Sequence, residues 1–269
     1  MTQQSPSGAE TREKRIKASS AAARRGRALL FHLDLYQLEH KIVRARNLLS
    51  FWLQIKGDTT RSKIFVVGPP RTGTFALHQI FRENGLHSSH TPGIWRMRQF
   101  DCFSDRGNFW PFRLMSKVYP KSIFILNTRP VYAYVRSIIH HRFGRGRKSS
   151  GWFEPSVRNI QNEILDRNRH YLNVMRYFMD KPNFLIGNIE RPGCLEFLCR
   201  RLGLEPCEVK NKKRSSWRDK DLHKIERAFT NLGIHQERNE PFLIESLLEP
   251  EEIEEKNRFL DTHRDRVFL

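Results

Sequence analysis

Residues 63–81 read KIFVVGPPRTGTFALHQIF: an apolar run breaks into a basic turn bounded by glycine, and a helical pattern follows at once. Gly68 and Gly73 stand at the GxxxxG spacing of a P-loop. Backbone amides in such a loop converge on one anionic group, and the helix N-terminus adds partial positive charge. The loop also excludes chemistry. A nucleotide triphosphatase needs Lys where Thr74 stands, and Ser or Thr for magnesium where Phe75 stands. The positive charge lies upstream instead, on Arg71. The stretch reads as an anion cradle without a complete mononucleotide P-loop.

Apolar runs at 63–68, 86–90, 122–127 and 183–189 predict strands. Helical periodicity is read at 74–84, 131–142, 156–179 and 193–202, with Gly85 and Gly203 as stop signals. This alternation predicts an α/β fold, a three-layer P-loop NTPase-like architecture with a mainly parallel central sheet flanked by helices. Ligands of such sheets bind at the carboxyl ends of the strands, here marked by Gly68, Asn127 and Ile189. The expected organisation is a basic, disordered tail over residues 1–20 and one domain over 21–269, its core at about 62–205. An N-terminal helix is expected over about 22–55, where Phe31, Leu35, Leu38, Ile42, Leu49, Trp52 and Leu53 recur near helical period. It packs on the core or on a second subunit, giving a homodimer, or lies as a basic amphipathic helix on an anionic membrane. Residues 91–118 are aromatic and irregular, and read equally as loop packing or as part of an acceptor pocket. Residues 211–220 read as a basic surface segment and 249–255 as an acidic helix start.

A net charge of +19 concentrates anions near any cleft, and by itself does not choose among nucleotide, acidic acceptor, nucleic acid and membrane. The four cysteines, Cys102, Cys194, Cys199 and Cys207, form no CxxC and no zinc-finger spacing. They read as reduced, mostly buried thiols of a cytoplasmic protein. No stretch approaches the roughly 20 apolar residues of a membrane span, and no signal peptide is visible.

The strand at 122–127 runs into Asn127, Thr128 and Arg129, and Ser137 lies eight residues beyond Arg129 on the next helix. A magnesium-dependent P-loop enzyme would end such a strand in Asp. None of the strands at 63–68, 122–127 and 183–189 does, and Glu190 is the acid nearest to a strand tip. No catalytic metal is expected.

GPPRTGTFALHQIF, together with Arg129 and Ser137 at their spacing, resembles the sulfotransferases that use 3′-phosphoadenosine-5′-phosphosulfate (PAPS). FLIGNIERPGCLEFLCRRLGLE looks like the family's later strand-Glu-helix segment, so the resemblance covers about residues 62–205. It implies sulfuryl transfer from PAPS to a hydroxyl or amine, without metal, releasing adenosine 3′,5′-bisphosphate (PAP). It also implies that Arg71 stands beside the bridging oxygen. Pro70, Arg71, Thr72, Gly73, Thr74 and Phe75 would line the 5′-phosphosulfate, and Arg129 and Ser137 would clamp the 3′-phosphate. Two features depart from the family: Pro130 directly follows Arg129, and the C-terminal Arg-Lys-Gly contact is absent. Arg214 is a substitute candidate, although its segment reads more simply as a solvated basic run. The acceptor must lose a proton, which calls for a base. His90 is favoured over His87, Glu190 is an alternative, and His140 and His141 read as structural or surface residues. The acceptor class (small molecule, lipid or glycan) is open. The rival readings are a P-loop nucleotide kinase or NTPase, and a basic nucleic-acid-binding protein.

Overall fold

The computed structural model describes residues 36–54, 61–90, 97, 99–143, 156–209 and 221–269. The tail at 1–20, residues 22–35 of the expected N-terminal helix, the basic run RFGRGRKSSG (142–151) beyond its first two residues, and the segment 211–220 with Arg214 lie outside them. In chain order the regular elements are α1 (Tyr36–Gln54), β1 (Ile64–Val66), α2 (Thr74–Glu83), β2 (Ser88–His90), β3 (Cys102–Ser104) and α3 (Phe112–Val118). Then come β4 (Ile123–Thr128), α4 (Val131–Phe143), α5 (Val157–Phe178), β5 (Phe184–Asn188), α6 (Cys194–Leu202), α7 (Leu222–Leu232), α8 (Pro250–Thr262) and β6 (Val267–Phe268).

The six strands form one sheet in the order β2-β3-β1-β4-β5-β6, and every neighbouring pair is parallel. The two-residue period of a strand divides its side chains between the faces. Phe65, Val67, Phe124, Leu126, Phe184 and Ile186 enter one apolar layer, which also takes Phe178 from α5 and Phe51 from α1. Val66, Ile125 and Leu185 enter the other, against Leu77 and Phe81 of α2 and Leu198 of α6. A third cluster joins α4, α5 and α7 through Val135, Ile164 and Phe229. Burial pushes the Cys102 and Cys194 thiols up to about 12, so both are inert thiols at neutral pH. Among the described residues no helix is long and apolar enough to cross a membrane.

The stretch 97–118 is more regular than its sequence suggests. It contributes β3, an internal strand between β2 and β1, and helix α3. β3 is three residues long, too short to show alternation, and its neighbours are aromatic on both sides. Its presence adds a strand tip next to β1 and with it an acid, Asp105. The expectation that Glu190 is the acid nearest to a strand tip is thereby corrected.

Two buried polar side chains of α5 hold the sheet to its surroundings. Arg167 is buried and donates to the carbonyls of Arg129 (2.9 Å), Pro241 (2.8 Å) and Phe242 (2.9 Å), with its guanidinium 4.5 Å from the centre of the Tyr171 ring. His170 places Nε2 2.8 Å from the Val67 carbonyl, immediately before the glycine-bounded loop. Donation to that oxygen requires the Nε2–H form. Burial lowers the His170 pKa to about 4. The unfolded chain protonates near 6.5, so His170 contributes stability that is present above pH 6.5 and lost as pH falls toward 4. The loss should be on the order of 2–3 kcal/mol. Urea unfolding at pH 7 and pH 4.5 checks this: His170→Gln should be less stable than wild type at pH 7, with the gap narrowing at pH 4.5. A gap that does not change with pH would remove His170 from the acid sensitivity.

Candidate functional site

The loop between β1 and α2 is fixed from the tip of β4. Asn127 is buried and its Nδ2 donates to the Thr72 carbonyl (2.8 Å) and to Thr72 Oγ1 (2.6 Å). Thr72 Oγ1 in turn donates to the Pro69 carbonyl at 2.7 Å. The Thr72 side chain is therefore spent on the loop's own shape, and what it offers a ligand is backbone. Gly73 sits at φ 91°, and a Cβ there would stand 2.6 Å from Ile189 Cγ2, so the residue serves both the left-handed turn and the approach of β5's exit. Ala76 and Leu77 already donate to the Gly73 carbonyl. The amides ahead of them are the donors for which a helix has no internal partner, and they open on the loop. Thr74 is buried and Phe75 exposed in this first turn, while Pro70 and Arg71 are half-buried.

Three residues far apart in sequence meet on the β4 side of the loop. Arg71 Nε donates to Ser137 Oγ at 3.0 Å across a separation of 66 residues. One guanidinium nitrogen of Arg129 donates to the Arg71 carbonyl at 3.1 Å, and the other lies 2.5 Å from Glu190 Oε1. Glu190 therefore occupies the Arg129 fork, and any other anionic group binding there would have to displace it. Arg129 Nε is buried with no hydrogen-bond partner, as is Thr128 Oγ1. The Arg129 side chain is a quarter exposed, so its fork is open to solvent while Nε at its root is enclosed. The Arg129 backbone is anchored by Arg167 from below, so the side chain projects from a fixed base.

The opposite side of the loop is built by β2 and β3. His90, at the carboxyl end of β2, places Nδ1 3.2 Å from Ser104 Oγ and its ring centre 5.4 Å from those of Phe75 and His78. His78 in turn has Nδ1 2.9 Å from Ser88 Oγ. Burial is the main cause that lowers the His90 pKa. Asp105 raises it, and Arg71 and Arg106 lower it further. Burial, then His90 and Arg82, lower His78 to about 4. Both imidazoles are neutral at pH 7, as an acceptor of a proton must be. His87 is elsewhere. It precedes β2, its exposed side chain lies 3.9 Å from Asp101, and the length of the strand separates it from the loop.

Asp105 and Arg106 follow β3 directly, at φ 81° and 59°, and Arg71 sits at φ 74°. Among the described residues these three are the non-glycine positions in the left-handed region, and all belong to this site. Held strain of this kind persists where surrounding structure over-determines it. Gly107 supplies that constraint: its N–H donates to the Gly68 carbonyl at 3.0 Å, and a Cβ on it would overlap the Val67 backbone. Asn127, His78 and Asp105 were not singled out as site residues from sequence. Asn127 carried a signal, as the strand-end residue where a metal-binding enzyme has Asp. His78 was hidden on a helix face and Asp105 behind an unrecognised strand.

Asn127→Ala should leave the Thr72 carbonyl without its donor and cost about 1–3 kcal/mol, read as a lower unfolding temperature with an unchanged circular dichroism spectrum. A variant as stable as wild type would show that the loop does not need this staple. The chain matches no protein-family model and no curated protein, so a reading of its function rests on the residues gathered here.

Proposed function

We propose that the chain is a sulfotransferase that moves a sulfuryl group from PAPS to a hydroxyl or amine acceptor. The observation that carries this reading is the meeting of Arg71, Arg129 and Ser137, drawn from separations of 58 and 66 residues to one face of the loop. In the reaction the acceptor oxygen or nitrogen bonds to sulfur, the bond from sulfur to the bridging oxygen breaks, the acceptor proton passes to a base, and PAP leaves.

Each residue has a role that its position supports. Arg71 projects from the loop and places a permanent cation where charge develops on the bridging oxygen, and it cannot act as an acid there. The amides of residues 72–75 face the 5′-phosphate. Arg129 and Ser137 hold the 3′-phosphate, with Glu190 released from the Arg129 fork as that group enters. Neutral His90 takes the acceptor proton, and its proximity to Asp105 stabilises the imidazolium that results. A phosphoryl-transfer reading gains one observation, Asp105 at a strand tip beside β1, where an acid would bind magnesium. It lacks the loop lysine.

Thermal shift separates the two. PAP without metal should raise the unfolding temperature by mass action, and ADP with magnesium should not. A shift with ADP and magnesium alone would reject the sulfotransferase reading. Arg129→Ala should weaken PAP binding at least tenfold by calorimetry, and an unchanged dissociation constant would exclude Arg129 from the 3′-phosphate. Once an acceptor is in hand, Arg71→Ala should lower kcat by two orders of magnitude or more. The acid limb of kcat/KM for the wild type should fall below pH 6.5, because the His90 pKa is lowered. A limb above 6.5 would point to another base.

A further inference from the structure

Helix α1 is apolar on two opposite faces. One face carries Phe51, which is buried in the main core, and Asn47, whose Nδ2 donates to the Phe109 carbonyl at 3.1 Å. The other carries Leu38, Ile42, Leu49, Trp52 and Leu53, with Leu48 at its border, each 43–66% exposed. Apart from Phe75 in the first turn of α2, these are the exposed large hydrophobic side chains among the described residues. Scattered exposed leucines need no explanation, but a continuous stripe of this size on one helix does.

The spacing of the stripe fits a partner helix. Leu38, Ile42, Ala45, Leu49 and Trp52 follow one another at intervals of four, three, four and three. This is the repeat that keeps one seam facing a partner helix. An amphipathic helix on a lipid surface shows a similar stripe over two heptads, so the choice of a partner helix rests on how well the face complements itself. We propose that this face binds the same face of a second copy, so that the chain is a two-fold dimer through antiparallel α1 helices.

The antiparallel arrangement follows from packing and charge. It sets Leu38 against Leu49 of the second copy and Ile42 against the small Ala45, and the reverse pairs complete the self-complementary contact that a two-fold axis requires. Exposed Lys41 then lies beside the second copy's Leu48, and its aliphatic stem packs there. A parallel pair would put Lys41 beside the exposed Arg46 of the partner, a like-charge contact. The six exposed side chains offer on the order of 700 Å² per copy against the roughly 800 Å² per partner of a stable interface, with Trp52 and Leu53 extending past the 38–49 overlap. This inference is independent of sulfuryl transfer.

Sedimentation equilibrium of the full chain, run in moderate salt to screen its net charge, tests the proposal. The wild type should weigh about 64 kDa, twice the 32.0 kDa of one chain. Leu49→Glu and Ile42→Lys should each weaken association at least a hundredfold. Both positions are exposed, so circular dichroism and unfolding temperature of the separated monomers should stay close to wild type. A wild type that is monomeric across the accessible concentrations overturns the proposal, as does a dimer that survives both substitutions. Flotation with phosphatidylserine vesicles is the second arm: a monomeric wild type that floats, with Leu49→Glu left behind, would assign the face to a membrane and overturn the dimer.

Discussion

The site depends on one carboxamide. Asn127 reaches from the tip of β4 into the neighbouring loop and satisfies both the carbonyl and the hydroxyl of Thr72, while the Thr72 hydroxyl closes the turn on Pro69. A buried turn of this kind has few ways to pair its backbone, and an unpaired carbonyl there costs as much as several favourable contacts return. The same requirement explains the glycine opposite: a Cβ on Gly68 would overlap the Asn127 side chain and carbonyl. An Asp at this position would present two acceptors to two acceptor oxygens. The choice of Asn at the strand end is therefore linked to the loop's shape, independently of any ligand.

With the loop fixed, its two flanks have distinct chemistry. The β4 and β5 side gathers cations and hydroxyls, with Arg129 standing on the buried Arg167 and facing Glu190. The β2 and β3 side gathers imidazoles kept neutral by burial, with a carboxylate near them. Arg71 belongs to both. Its side chain donates to Ser137 on one flank, and its charge helps to lower the pKa of His90 on the other. Its left-handed backbone is what turns the side chain out of the loop between them. The strain of that conformation, of order 1–3 kcal/mol, is tolerated because Arg129 holds the Arg71 carbonyl from the β4 side.

The legible parts of the molecule were those written in long periods or in rare residue combinations. β1, β4 and β5 are continuous apolar runs, and α5 carries Ile160, Ile164, Tyr171, Met175 and Phe178 along one face, so their positions follow from pattern. The loop was legible because Gly, Pro, Arg and Thr gather there with no other use. β3 and β6 are three and two residues long, and no period can be read from so few. Arg167 was invisible for a different reason. On a helical wheel an arginine predicts a solvated face, and only the carbonyls of residues 129, 241 and 242, brought close by the fold, make its burial favourable. His87 and His90 are equivalent by sequence proximity. They separate only once β2 gives His90 to the loop at its carboxyl end and leaves His87 at its amino end.

The contrast between the flanks also bears on which group can move a proton. Burial and neighbouring arginines lower the pKa values of His78 and His90, which favours a neutral base but makes the protonated form hard to reach. A base in such surroundings works only if something local receives the positive charge it acquires. Glu190 pairs with Arg129 on the β4 and β5 flank and is not among the charges that act on His90. Asp105 lies on the right side, raises the His90 pKa against burial and two arginines, and is held by a backbone that Gly107 locks to the loop. His78 is lowered by burial, His90 and Arg82 with no carboxylate to oppose them, and its pKa lies at about 4. Of the two neighbouring imidazoles, His90 is therefore the one with a carboxylate to offset the charge it would acquire.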